Sequence, residues 1–169
     1  MYNGYIRNKA MVVRQEIKSQ LAKLLATEDL IVEHKNVETA QFDVLSRVLT
    51  LPVWDKASSG VYDMLVGHEV GHALFTPDDN WIEERKIPPV FVNIVEDARI
   101  EKLMKRKYPG LAKSFYYGYQ ELNDNDFFDV DGQDLDDFNL ADRINLHYKI
   151  GNFIDLDFSL AEKQIIKII

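Results

Sequence analysis

The sequence predicts an α+β fold that is mostly helical, with a small edge sheet packed on a central apolar helix. Three observations lead there. Apolar residues recur at helical spacing in several separate stretches. One short segment, 38–53, has instead the composition and alternation of strands. Between Ser58 and Phe75 lies a helix that is apolar on nearly all sides and so has to be buried. At 169 residues the chain suits one domain, spanning 1–169, with enough length to bury a core.

The elements follow in order. Asn8 to Ala26 reads as an amphipathic helix, with Val13, Ile17, Leu21, Leu24 and Leu25 on one side and Arg14, Lys18 and Lys23 between them. Phe42–Val44 and Arg47–Leu51 read as two short strands turning near Leu45-Ser46, and Pro52 marks the second as an edge strand. Asp55 or Ser58-Ser59 offers an N-cap for the apolar helix, and Thr76-Pro77-Asp78-Asp79 stops it. Pro88-Pro89 opens a helix from Val90 to Lys107, ended by Pro109-Gly110. Leu111–Leu122 is aromatic and helical, Glu121–Asp142 is an acidic loop, and Leu140–Phe153 and Leu160–Ile169 are helices. The last runs apolar to Ile169 without a stop signal, the pattern expected if the natural protein continues.

Composition excludes several function classes. No apolar run approaches the roughly 20 residues of a membrane span, and the first residues lack the pattern of a signal peptide. With no cysteine, disulfides and thiolate metal sites are excluded, so any metal is held by His, Asp or Glu. A cytoplasmic location is expected. The net charge of −8 is concentrated: 121–142 holds nine acidic and no basic residues, leaving 19 of the 28 acidic residues against all 20 basic ones elsewhere. Nucleic acid is therefore not an expected partner.

The buried helix carries His68-Glu69-Val70-Gly71-His72. Two His four apart lie on one face of a helix and can share one Zn2+. Glu69, beside that face, can serve as general base toward a water activated by the metal. Ordinary helix-surface histidines are the bland alternative, but the apolar flanks Val61, Met64, Leu65, Val66, Val70, Ala73 and Leu74 make unsatisfied polar groups costly here. The motif identifies a zincin-type zinc site.

Catalytic zinc takes three protein ligands and keeps one open position. Glu96, in the apolar run Val92–Ile100 of the next helix, is the best placed of four candidates for the third ligand. Asp97 reads rather as a partner that orients a ligand His. Asp78 follows His72 by six residues, but Phe75 stands where a metzincin-like chain turn needs Gly. His147 is remote in sequence; it or a tyrosine of Phe115–Tyr119 is a candidate donor to the developing oxyanion. That aromatic run otherwise reads as core. His34, between Glu33 and Lys35, reads as solvated. Asp129-Val130-Asp131-Gly132 partly matches a calcium loop, but Phe127 and Phe138 fall where acidic ligands belong, so a solvated loop that could cover the cleft is the better reading.

Gly67–Thr76 together with Asn93–Glu101 resembles the gluzincin-like domains found beside von Willebrand A modules, in CobT-like and NorD-like proteins and related peptidases of T4-type phages. The resemblance covers about Phe42 to Gly110. It implies a zinc metalloendopeptidase with His68, His72 and Glu96 as ligands, Glu69 as base, and Arg47–Val53 as the edge strand along which a protein or peptide substrate lies. It also implies a von Willebrand A module or an AAA+ ATPase as partner, and host cytoplasm if the protein is phage-encoded. The thermolysin-type second motif has a carboxylate four residues after its ligand; after Glu96 that position is Ile100. A non-catalytic scaffold or AAA+-linked module with a structural or vestigial zinc site is the competing expectation.

Overall fold

Helix α2 (Ser59–Phe75) is enclosed because almost every side of it is apolar: Val61, Met64, Leu65, Val66, Val70 and Ala73 are all buried. The computed structural model describes residues 3–54, 57–77 and 86–169, with 3–14 as backbone only. Among these residues the fold is α+β and mostly helical, with six α-helices and one three-stranded sheet. Around α2 pack α1 (Asn3–Ala26), α3 (Pro89–Lys107) and α4 (Leu111–Asp124). Helix α5 (Leu140–Ile150) lies across α3 and α4, and α6 (Leu160–Ile168) closes a smaller cluster of Ile94, Ile144 and Phe158. No helix of the described residues is long and apolar enough to cross a membrane.

The ends of α2 show why it starts and stops where it does. Ser58, not Asp55 (which lies outside the described residues), is the N-cap, its hydroxyl accepting from the amides of Gly60 and Val61. At the C-terminus, Arg47 Nη2 donates to the Ala73 carbonyl at 2.8 Å and Arg99 Nη2 to the Phe75 carbonyl at 2.6 Å. Two guanidinium groups thus satisfy carbonyls at the negative end of the helix dipole. The buried Lys18 of α1 donates to Ser59 Oγ at 2.7 Å and pairs with Asp63, tying α1 to the start of α2.

The sheet corrects one expectation. Arg47–Val53 is not an edge strand. Strand β3 (Val48–Pro52) is central, between β1 (Ile31–Lys35), parallel to it, and β2 (Gln41–Asp43), antiparallel. Leu49, Thr50, Leu51 and Pro52 are all buried, so both faces of β3 are covered. Pro52 is tolerated because it ends the strand, where the ladder passes on to Val53, whose amide donates to Lys35. The β2–β3 hairpin turns where expected. Asp43 Oδ1 accepts from the amides of Leu45 and Ser46, and Arg47 takes a positive φ of 56°. His34 is not solvated either. It belongs to β1, burial lowers its pKa, and its Nε2 lies 3.2 Å from Ser19 Oγ of α1.

The close crossing of α2 and α3 depends on Gly71. A Cβ there would stand 2.8 Å from Ile100 Cδ1 and 3.3 Å from Ile100 Cβ. Gly118 does the same for α4, since a Cβ would come 2.7 Å from Met64 Cβ.

Candidate metal centre

His68 and His72 project from one face of α2 toward α3, their ring centroids 5.1 Å apart. The α3 carboxylate that meets them is Asp97. Its Oδ1 lies 3.6 Å from His68 Nε2 and 3.3 Å from His72 Nε2. One donor atom from each of the three residues falls within 4.8 Å of the others.

Each imidazole is held by its other nitrogen. His68 Nδ1 lies 3.0 Å from Glu101 Oε1, and Glu101 is further engaged by the Tyr119 hydroxyl and, at 3.1 Å, by Lys105. Burial pushes the Glu101 carboxyl up, but the His68 hydrogen bond and the charges of His68 and Lys105 hold it below its ordinary range. Burial and Glu101 together push the Tyr119 phenol well above its ordinary value, so it remains a donor. His72 Nδ1 lies 2.9 Å from Thr76 Oγ1, which donates to Glu96 Oε1 at 2.7 Å. Because Thr76 spends its only proton on a carboxylate, it accepts from His72. Both rings therefore carry hydrogen on Nδ1 and turn Nε2 toward Asp97.

These donors fit a divalent cation of the zinc type: two imidazole nitrogens and a carboxylate oxygen. Tetrahedral bonds of about 2.0–2.1 Å put neighbouring donors roughly 3.3 Å apart, close to the distances found. Without a cation, a proton on His68 meets Asp97 instead. Burial disfavours the His68 imidazolium, yet the hydrogen bonds to Asp97 and Glu101 raise its pKa to about 10. Burial likewise pushes Asp97 up, but His68, His72 and Lys149 hold its carboxyl well below the usual range.

Glu69 is buried in the floor of a cleft of about 540 Å3 that also exposes His68, His72 and Asp97. Burial raises its pKa, opposed by the charges of His68 and His72 and reinforced by that of Asp97. The cleft is walled by β2 with Phe42, by Leu122, and by Phe127 and Phe128, which the acidic segment 121–142 brings over α4. That segment is not one open loop. It begins in α4, folds into a turn in which Asp126 caps the amides of Val130 and Asp131, and contains a short 3-10 helix, Leu135–Asp137.

Glu96 and His147 do not join the three donors that meet here. Glu96 is taken up by Arg99, with bonds of 2.7 Å to both its oxygens, and by Thr76. Its carboxyl is held below the ordinary range by those partners despite burial. It supports His72 through Thr76, while Asp97 faces the imidazoles. His147 packs edge-on against Phe158 with centroids 5.5 Å apart and does not line the cleft. Residues two apart on a helix face different ways, so it is Lys149 that reaches the site, donating to Asp97 Oδ2 at 2.8 Å. Asp78 lies outside the described residues. Within the aromatic run Phe115 is core, Tyr119 lines the cleft, and Tyr116 and Tyr117 are exposed.

The signal for Asp97 was present in the sequence. Ile94, Ile100, Glu101 and Met104 stand at −3, +3, +4 and +7 from Asp97, and all are buried. Glu101 is also the carboxylate four residues on that Glu96 lacks. Lys149 left no comparable signal. No protein-family model, curated protein or solved structure matches the chain.

Proposed function

We propose that this chain is a zinc-dependent metallopeptidase domain that hydrolyses peptide bonds. The observation that carries the reading is the meeting of His68 Nε2, His72 Nε2 and Asp97 Oδ1 in a cleft whose floor also holds the buried carboxyl of Glu69. His68, His72 and Asp97 would hold the cation, which when bound supplies Lewis-acid polarisation of a carbonyl and of an attacking water. Glu69 takes one proton from that water and delivers it to the amine released when the C–N bond breaks. Its raised pKa suits a group that must both accept and return a proton. The ligand role that resemblance assigns to Glu96 passes to Asp97, which also restores the spacing to a supporting carboxylate, Glu101.

An extended substrate would add to the sheet along the outer edge of β2, residues 41–43, which lines the cleft. A cytoplasmic location, in the host cell if the gene is a phage's, goes with this reading, as does a partner such as a von Willebrand A module or an AAA+ ATPase.

The test is metal content together with one substitution. The purified chain should bind one zinc. Glu69→Gln should retain it and lose hydrolysis of an unfolded casein-like substrate by several orders of magnitude. No bound transition metal after zinc is supplied would overturn the site. Zinc binding with activity within about ten-fold of wild type, roughly 1.4 kcal/mol of barrier, would remove Glu69 as base. Zinc binding with no hydrolysis in either protein would make the domain a scaffold module.

A further inference from the structure

Three side chains aim a donor atom at one point, and each has its far atom held by a different part of the fold. Glu101 of α3 holds His68 Nδ1, Thr76 at the end of α2 holds His72 Nδ1, and Lys149 of α5 holds Asp97 Oδ2 at 2.8 Å. The first two partners accept a proton and so select a tautomer. Lys149 acts on a different degree of freedom. A carboxylate has two equivalent oxygens, and either one or both can turn to a cation. An ammonium on Oδ2 leaves Oδ1 as the oxygen that faces both imidazoles. An exposed lysine would do this poorly, since it is mobile and screened. Lys149 is only 19% exposed, as is Asp97, and α5 is seated on α3 through Ile144 and Ile94.

We propose that Lys149 is a positioning residue for the metal centre: by occupying Oδ2 it makes Asp97 a one-oxygen ligand, so that a coordination position is kept for water. The proposal rests on the reading of His68, His72 and Asp97 as ligands.

Cobalt(II) bound to the full chain tests it, because visible cobalt absorption weakens as the coordination number rises above four. Wild type should bind one Co2+ with strong absorption. Lys149→Met should still bind one, with a marked loss of intensity as the freed Oδ2 joins the metal. Lys149→Arg, which keeps a cationic donor, should restore the wild-type spectrum. Circular dichroism checks the fold, and if Lys149→Met does not fold, Lys149→Ala is read in the same way. Identical spectra for wild type and the neutral variant would overturn the role of Lys149 while leaving the metal site standing. If wild type binds no Co2+, the metal reading itself fails and this proposal falls with it.

Discussion

Asp97 and Glu101 stand one turn apart on α3 and grip opposite nitrogens of His68: Asp97 Oδ1 faces Nε2 at 3.6 Å, and Glu101 Oε1 accepts from Nδ1 at 3.0 Å. One helix thus supplies both the carboxylate that faces the imidazole and the one that orients it. Glu101→Gln removes the anionic acceptor and nearly preserves shape. Zinc affinity should fall about 10–100-fold, as for other outer partners of ligand histidines. Competition with a chromophoric chelator measures it, and an unchanged affinity would strip Glu101 of that role.

The same titration separates two neighbours. Asp97→Ala should weaken zinc by about 100-fold or more, beyond the loss expected for an outer partner. Glu96→Ala frees Arg99 and Thr76 but leaves the three donors in place, so its cost should stay below about ten-fold. The reverse ranking would return the third position to Glu96.

Zinc should stabilise the fold, because its ligands come together only in the native chain. At free zinc one hundred times Kd the gain is about 2.7 kcal/mol, which for a domain of this size raises Tm by roughly 5–10 °C. Chelation should reverse the rise. A Tm unmoved by confirmed loss of metal would show that zinc does not bind preferentially to the native state.

Gly71 lies inside the motif, yet its requirement is steric. Ile100 is fully buried, and a Cβ at Gly71 would press on it at 2.8 Å. Gly71→Ala should cost about 1–3 kcal/mol through overpacking and weaken zinc by moving α3, with Asp97, away from α2. Thermal melting of the metal-free protein reads the first effect, and a variant as stable as wild type would show that the crossing can relax.

Much of the fold could be read along the chain because its determinants are local. Helical periodicity, the proline and glycine stops, and the Asp43–Arg47 turn each depend on residues a few positions apart. His68, Glu69 and His72 were legible for the same reason, since one helix presents all three and its apolar flanks announce its burial. What only the tertiary structure decided involves elements that meet at a distance. Strand β1 is not legible in the sequence because Glu33, His34 and Lys35 disguise a segment whose place is set by pairing with β3. Which of Glu96 and Asp97 faces the imidazoles is a rotation of about 100° about the axis of α3. It is settled by Ile94, Ile100 and Met104 turning inward and by the close approach at Gly71. Lys149 rather than His147 reaches the site because the packing of Ile144 and Phe158 sets how α5 is turned. Spacing along one helix is written in the sequence, whereas the angle at which two helices present their faces exists only once the core has packed.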